Sequence, residues 1–200
     1  MRKFIIIVLT LLYSNIHSQW SYFGAKFQAA FNTHGAGVGA GIHFTGHIDS
    51  TSSFRLLLEY STVTIGSGIS DNRPIVRAAS YELLQFKAVY FYYFPARKYH
   101  IGAGIGYFTY SLGPGSSGMS DVGEHISIQE LDDTIGFDLI IGTTLSELIS
   151  AELNYVFSFP ELSSRVIPLD IIAEPYTRTQ TVNMNTIYLN LVFSISTLVL

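Results

Sequence analysis

Apolar residues recur at every second position along almost the whole chain after Gln19. In a β-strand, successive side chains point to opposite faces of the sheet, so a period of two gives the strand one apolar face. The periodicity therefore predicts a chain built almost entirely from strands, with no helix of useful length. The pattern is clearest near the C-terminus, where the alternating apolar residues are Ile187, Leu189, Leu191, Phe193 and Ile195.

Eight such segments can be laid out along the chain. Each is longer than the ~9–11 residues that a tilted strand needs to cross a bilayer. An even number of strands can close on itself, which removes the unpaired edges that a lipid environment does not tolerate. The sequence therefore predicts an all-β fold, a closed eight-stranded antiparallel up-and-down transmembrane β-barrel. The segments are 20–32, 36–48, 53–66, 80–94, 99–112, 133–146, 149–160 and 184–200.

The connections between these segments alternate in length. Three are short, at 47–52, 95–98 and 147–148. Outer-membrane barrels have short turns on the periplasmic side and longer loops outside the cell. We therefore expect both termini in the periplasm and three long outer loops, with one tight outer hairpin near 33–35. The long links are 67–79, 113–132 and 161–183.

Two other interpretations of the apolar content remain open. The last 20 residues carry no charge, so a C-terminal spanning helix is one alternative, against which stand several Asn residues and the period of two. A soluble, lipocalin-like barrel would instead place its apolar face inside. Charged residues make up only 13% of the chain, about half the usual share for a soluble domain. That composition favours the membrane barrel.

The N-terminus has the pattern of a secretory signal. Arg2 and Lys3 precede a run of ten mostly apolar residues, Phe4 to Tyr13, which is too short for a spanning helix of ~20 residues. We expect residues 1–18 to be a cleaved signal peptide and residues 19–200 to be the barrel domain, with an N-terminal anchor as the alternative. The mature chain would keep nine basic and 15 acidic residues, which argues against a nucleic-acid partner.

If the apolar positions face lipid, the polar positions face the lumen. A charge facing lipid at mid-membrane costs roughly 2–4 kcal/mol for Arg or Lys, so the charged members belong inside, paired with one another. The other inward members include Gln28, His43, Thr45, Gln85, Asn154 and Asn190. The predicted structural charge network consists of Lys26, Arg55, Glu59, Lys87, Asp138 and Glu152.

The interior of an eight-stranded barrel is just wide enough for side chains to fill. Six glycines on two strands would make room beside the long basic side chains: Gly37, Gly39, Gly41, Gly102, Gly104 and Gly106. The expected result is a plugged lumen with a structural charge network rather than an open pore. A small channel is the alternative.

Aromatic residues lie near both ends of the predicted strands, where amphipathic rings anchor a barrel at the two membrane interfaces. The first group, near the short turns, is Trp20, Tyr22, Tyr92, Phe94 and Tyr99. The second group, near the long loops, is Tyr60, Tyr81, Tyr107, Tyr110 and Phe159.

Catalysis and cofactor binding have little support in the sequence. Acyl transfer needs Ser, His and a carboxylate within hydrogen-bond reach, and no local motif joins His34 or His125 to such partners. The chain contains no Cys, and His43 and His47 would lie about 13 Å apart on one strand, too far to share a metal. We therefore expect a non-enzymatic protein without metal or cofactor. A lipid-modifying enzyme with an outer-rim His is the alternative.

Several segments resemble outer-membrane β-barrels. They are the signal ending in Ser18-Gln19, the opening Phe23-Gly24-Ala25-Lys26-Phe27, the hairpin Gly37-Val38-Gly39-Ala40-Gly41 and the strand Gly102-Ala103-Gly104-Ile105-Gly106-Tyr107. Within that superfamily the pattern is similar to the small OmpX-like and PorT-like barrels of Bacteroidetes-type bacteria. The resemblance implies a monomeric barrel surrounded by outer-membrane lipids, with outer loops available to a protein or surface ligand. Such families include adhesins and secretion-system accessories, and no functional residues are carried over.

Overall fold

The computed structural model describes residues 21–33, 35–65, 80–94, 98–113, 117–119, 125–168 and 174–197. The predicted signal peptide, residues 1–18, and Trp20 lie outside this range. In chain order the strands are β1 Ser21–Asn32, β2 Gly35–His47, β3 Ser52–Ile65, β4 Ser80–Tyr93, β5 Tyr99–Leu112, β6 Ser117–Met119, β7 His125–Leu131, β8 Thr134–Ser146, β9 Ile149–Phe157, β10 Glu161–Ile167, β11 Tyr176–Thr181 and β12 Thr186–Thr197.

Eight of these strands form a closed barrel in the order β1-β12-β9-β8-β5-β4-β3-β2. Neighbouring strands are antiparallel throughout, and closure comes from the pairing of β1 with β12, from Ser21 opposite Thr197 to Asn32 opposite Thr186. The fold class predicted from the periodicity is confirmed, and the strand ends agree with the predicted segments to within three residues where both are described. The last predicted segment is a strand, not a helix.

The barrel is apolar outside and polar inside, as the alternation requires. On β1, Phe23, Phe27 and Phe31 are exposed, whereas Lys26 and Gln28 are buried. A soluble barrel would hide its apolar face in its own core, so this sidedness excludes the lipocalin-like alternative and fits a lipid-facing exterior. Among the described residues, no helix is long and apolar enough to cross a membrane.

The short connections contain hydrogen-bonded turns. Between β2 and β3, the Asp49 carboxylate accepts hydrogen bonds from the Thr51 amide at 2.7 Å, the Thr51 hydroxyl at 2.9 Å and the Ser52 hydroxyl at 2.6 Å. Asp is favoured in turns because its side chain satisfies backbone donors two or three residues further on. We call this end of the barrel the short-turn end, and the opposite one the long-loop end.

Two of the predicted long loops contain strands, which corrects the sequence prediction. Strands β6, β7, β10 and β11 form a second antiparallel sheet in the order β11-β10-β7-β6, which we call the outer sheet. This order repeats that of β12, β9, β8 and β5, so the outer sheet continues half of the barrel wall. Backbone hydrogen bonds cross the breaks, from Asp132 N to Glu161 O at 2.8 Å and from Met184 N to Ser158 O at 3.0 Å. The third long link, 67–79, lies outside the described residues.

Candidate functional site: the barrel interior

A chain of buried ion pairs crosses the middle of the lumen. The Lys26 ammonium contacts Glu59, and the Lys87 ammonium lies 2.6 Å from Glu59 Oε2 and 2.9 Å from Asp138 Oδ2. The four residues come from β1, β3, β4 and β8, so the chain of contacts spans the interior rather than following one strand. All four side chains are at most 1% exposed. Buried charges in such a place need partners, because an unpaired buried charge is strongly destabilising.

The other two predicted charges form a separate pair nearer the short-turn end. Arg55 Nη1 donates to Glu152 Oε1 at 2.6 Å, and Arg55 Nε donates to the Thr45 hydroxyl at 3.2 Å. His100 Nε2 lies 3.2 Å from the same Glu152 oxygen. The guanidinium also stacks over the Phe91 ring, with its carbon 4.2 Å from the ring centroid. The six predicted residues therefore divide into two clusters, and His100 is a buried interior member that was not among the predicted residues.

Amide side chains connect the middle cluster to the far wall. Asn190 Nδ2 donates to Asn154 Oδ1 at 2.8 Å, and Asn154 Nδ2 lies 3.5 Å from Asp138 Oδ2. His43, also predicted inward, is buried and contacts the Phe193 carbonyl at 3.2 Å and the Thr45 hydroxyl at 3.3 Å. Hydrogen bonds and ion pairs thus connect polar side chains from strands all around the barrel, and the carboxylates are bound by cations and amides.

Two glycines make this packing possible by their missing side chains. A Cβ on Gly41 would lie 2.7 Å from Glu59 Cγ, and a Cβ on Gly106 would lie 2.7 Å from Lys87 Cγ. Distances this short do not occur between real Cβ atoms and their neighbours. The predicted role of glycine beside long charged side chains is therefore found at these two positions, whereas Gly102 and Gly104 face Phe91 and Val89.

An apolar cluster fills the interior at the long-loop end, and the sequence analysis missed it. Tyr81 and Tyr110, predicted as members of the outer aromatic belt, point inward and are buried, which corrects that assignment. Their hydroxyl groups are paired, Tyr81 with Asn32 Nδ2 at 2.6 Å and Tyr110 with the Ser158 hydroxyl at 2.9 Å. The signal was present, since Tyr81 has the same parity on β4 as Gln85. We name the cluster the apolar plug: Ala30, Val63, Tyr81, Leu83, Phe108, Tyr110, Leu131, Val156, Leu162, Val182, Met184 and Tyr188.

Other aromatic residues do point outward at the two ends. Exposed side chains near the short turns are Tyr92, Phe94 and Tyr99. Tyr22, predicted in the same group, has the inward parity of Lys26 and lines an interior cavity, which corrects that assignment. The exposed side chains nearer the long loops are Tyr60, Tyr107 and Phe159. Both groups are placed where interfacial aromatic rings would lie on a membrane barrel.

A cavity of about 720 Å³ occupies the short-turn end of the interior. Arg55 and His100 form its inner boundary, on the short-turn side of the middle ion pairs. We call it the vestibule, and its characteristic lining residues are Tyr22, Thr45, His47, Arg55, Tyr93 and His100.

The sequence analysis considered two histidines for catalysis. His34 lies outside the described residues, and His125 is the first residue of β7. Among the described parts of the chain, no three His, Asp or Glu side chains come together in a way that could hold a metal ion.

Comparison with known proteins gives structural but not sequence relatives. No protein-family model matches the chain, and no curated protein matches it. The outer membrane protein OprG from Pseudomonas aeruginosa superposes with a TM-score of 0.53 at 11% identity, covering 89% of this chain and 96% of that chain. Neisserial surface protein A superposes with a TM-score of 0.46 at 12% identity, covering 88% of this chain and 95% of that chain. The Yersinia pestis attachment invasion locus protein Ail superposes with a TM-score of 0.44 at 9% identity, covering 88% of this chain and 97% of that chain. Through its likeness to OprG, the chain shares the fold of a small outer-membrane β-barrel protein.

Proposed function

We propose that this protein is a non-enzymatic outer-membrane barrel whose lumen is closed and whose outer sheet and loops bind a partner or surface ligand. In this proposal residues 1–18 are a cleaved signal peptide, residues 19–200 form a single barrel, and both termini lie in the periplasm. Within the shared fold, we place the chain with the small OmpX-like and PorT-like barrels. Adhesion and assistance to a secretion system are the roles most consistent with a closed barrel that presents an outer surface.

The proposal of a closed lumen rests on two groups of side chains that fill the interior, the middle ion pairs and the apolar plug. The middle ion pairs bring ammonium and carboxylate groups together from four strands, and their side chains are almost inaccessible to water. Beyond them lies the apolar plug, which contains Tyr81, Phe108 and Tyr188, each at 0% exposure. An ion that entered the lumen would have to displace both groups, so conduction is not the role this interior favours.

The outer sheet supports the second half of the proposal. On one face, strands β10 and β11 present hydroxyl and guanidinium groups, with Arg165, Thr177 and Thr179 exposed. The opposite side of β10 is buried, with Leu162 and Val166 at 2% and 1% exposure. One packed face holds the sheet in place above the barrel while the other is free to meet a partner. A rigid element of this kind positions contact residues better than an unstructured loop.

Replacement of the outer segments tests this function. The test variant joins β5 to β8 and β9 to β12 by short turns. The control keeps every segment and carries Ile48→Val and Leu148→Ile, at two exposed residues of the short turns. We expect the variant to lose the partners captured by crosslinking in the native membrane, while heat-modifiable gel mobility shows that the barrel still folds. Retention of the same crosslinked partners by a folded variant would overturn the proposal.

A further inference from the structure

We propose that the vestibule is a binding site for a small organic anion that carries an aromatic or similarly flat ring. Its volume, about 720 Å³, lies within the range of roughly 300–1,000 Å³ that is typical of sites for small molecules. It lies at the short-turn end and is bounded inward by the side chains of Arg55 and His100. This inference concerns the opposite end of the barrel from the proposed partner surface and stands independently of that surface.

The inner end of the vestibule carries hydrogen-bond donors beside the buried Arg55–Glu152 pair. Arg55, His100 and Thr45 line it, and all three carry N–H or O–H groups. Arg55 is only 4% exposed and is fixed by its bonds to Glu152 and Thr45 and by the Phe91 ring beneath it. A guanidinium held in one orientation is the side chain best suited to carboxylate or phosphate, because its donors form a rigid planar fork.

The charges nearer the opening balance each other. Lys98 adds a second cation at the rim. Among the described residues that line the cavity, Glu147 is the one carboxylate, and it lies in the exposed turn between β8 and β9. Glu152 pairs with Arg55 and does not line the cavity. An anion that entered would therefore pass a mixed rim and reach an inner end that presents donors.

The wall of the vestibule is a continuous row of rings. Tyr22 meets His47 edge to face at 5.4 Å between centroids, His47 lies 5.9 Å from Tyr93, and Tyr93 lies 5.4 Å from His100. The row runs from the rim to the inner end, where His100 meets Phe91 at 5.5 Å. Ring systems gain from offset-stacked or edge-to-face contacts with other rings, so this wall favours a ligand with a ring over a compact inorganic ion.

The test compares two probes that share a fluorinated ring, one with a carboxylate and one with a neutral hydroxyl group. The full-length protein in lipid nanodiscs is titrated with 4-fluorobenzoate and with 4-fluorobenzyl alcohol, and binding is followed by fluorine NMR. We expect saturable binding of the benzoate and at least about tenfold weaker binding of the alcohol, since a tenfold change corresponds to the loss of one modest contact. Equal affinity for the two probes, or no saturable binding of the benzoate, would overturn the proposal.

A matched pair of substitutions locates the site. Tyr93→Leu removes a ring from the vestibule wall, whereas Tyr92→Leu removes the adjacent ring, which points out of the barrel and is exposed. We expect Tyr93→Leu to weaken 4-fluorobenzoate binding about tenfold and Tyr92→Leu to leave it unchanged. Equal effects of the two substitutions would place the probe at the lipid surface and refute the site.

The charge requirement is tested with both partners of the buried pair removed together. Arg55→Gln with Glu152→Gln leaves no unpaired buried charge, and heat-modifiable mobility reports whether this double variant folds. A folded double variant should lose its preference for the benzoate over the alcohol, and an unchanged preference would refute the role of Arg55. If the double variant does not fold, the comparison of Tyr93→Leu with Tyr92→Leu decides the proposal by itself.

Discussion

Lys87 is the residue on which the interior network depends most. Its ammonium contacts both Glu59 and Asp138 and lies 5.6 Å from the centroid of the Tyr188 ring. It therefore joins the middle ion pairs to the apolar plug. Because Glu59 also contacts Lys26, removal of Lys87 leaves Glu59 with a cation but takes the cation from Asp138. The cost of losing Lys87 is expected to come mainly from Asp138.

Substitution of Lys87 should be rescued by neutralising Asp138. We expect Lys87→Met to lower the free energy of unfolding by about 3–5 kcal/mol, since breaking a buried pair leaves an uncompensated charge. Lys87→Met combined with Asp138→Asn should recover more than half of that loss. Urea titration in lipid vesicles, with the folded fraction read from heat-modifiable gel mobility, measures both. Phe86→Leu, one residue away and facing outward, is the control, and a double variant no more stable than Lys87→Met would contradict the account.

Asp49, in the turn between β2 and β3, should make the free energy of unfolding depend on pH. Hydrogen bonds from the Ser52 hydroxyl, the Thr51 amide and the Thr51 hydroxyl lower the pKa of Asp49 to about 2, below the ordinary value of 3.8. Because the folded pKa is the lower one, the stabilisation is complete above about pH 5 and is lost as the pH falls from about 4 to about 2.

The comparison of wild type with Asp49→Ala isolates this effect. The difference between their urea midpoints should be constant above about pH 5 and should shrink towards zero near pH 2, because every other titrating group is common to both chains. A difference that stays the same at pH 2.5 as at pH 7 would show that the Asp49 charge contributes nothing to the turn.

At the scale of elements, the period of two predicted the barrel strands but not the outer sheet. The barrel strands can be recognised from an alternating sequence pattern, because one face contacts lipid and the other contacts packed polar groups. Both faces therefore constrain the sequence. On β11, by contrast, Tyr176, Thr177, Arg178 and Thr179 are all exposed. Because both faces of β11 are exposed to solvent, its sequence shows no alternation of apolar and polar residues. Its register is set by pairing with β10.

The outer sheet is held in place by its packed face, which gives a prediction for β10. Leu162 is 2% exposed in the apolar plug, whereas Ile167 on the same strand is 40% exposed. Truncation of a buried Leu to Ala costs about 2–5 kcal/mol, so Leu162→Ala should loosen the outer sheet locally. Trypsin should then cut faster after Arg165 and Arg178, with the barrel itself intact. Ile167→Ala is the matched control, and equal cleavage rates for the two variants would refute the role of the packed face.

At the scale of the whole molecule, the interior has three levels: the vestibule, the ion pairs and the apolar plug. The sequence predicted which polar residues face inward, because charge on the lipid face is costly and parity then assigns the rest. It did not predict which charge meets which, since Lys26 and Glu59 lie on strands that are not neighbours in the barrel. Tyr81 and Tyr110 were misassigned because a tyrosine near a strand end suits either an interface or a core, and only register decides between them.

The proposed orientation can be tested because the chain has no cysteine of its own. Thr51→Cys places one thiol in an exposed short turn, and Thr179→Cys places one on the exposed surface of β11. A membrane-impermeant maleimide added to intact cells should label Thr179→Cys but not Thr51→Cys, and it should label both after lysis. Labelling of Thr51→Cys alone in intact cells would show that the barrel is inserted the other way.

The closed lumen is the central claim, and single-channel recording in planar lipid bilayers tests it most directly. We propose that two obstructions, one of paired charge and one of packed apolar side chains, block the passage of hydrated ions along the barrel axis. The purified full-length barrel should therefore insert, as shown by its heat-modifiable mobility, without producing a steady conductance. A steady, open, large conductance from the wild-type protein would contradict the account.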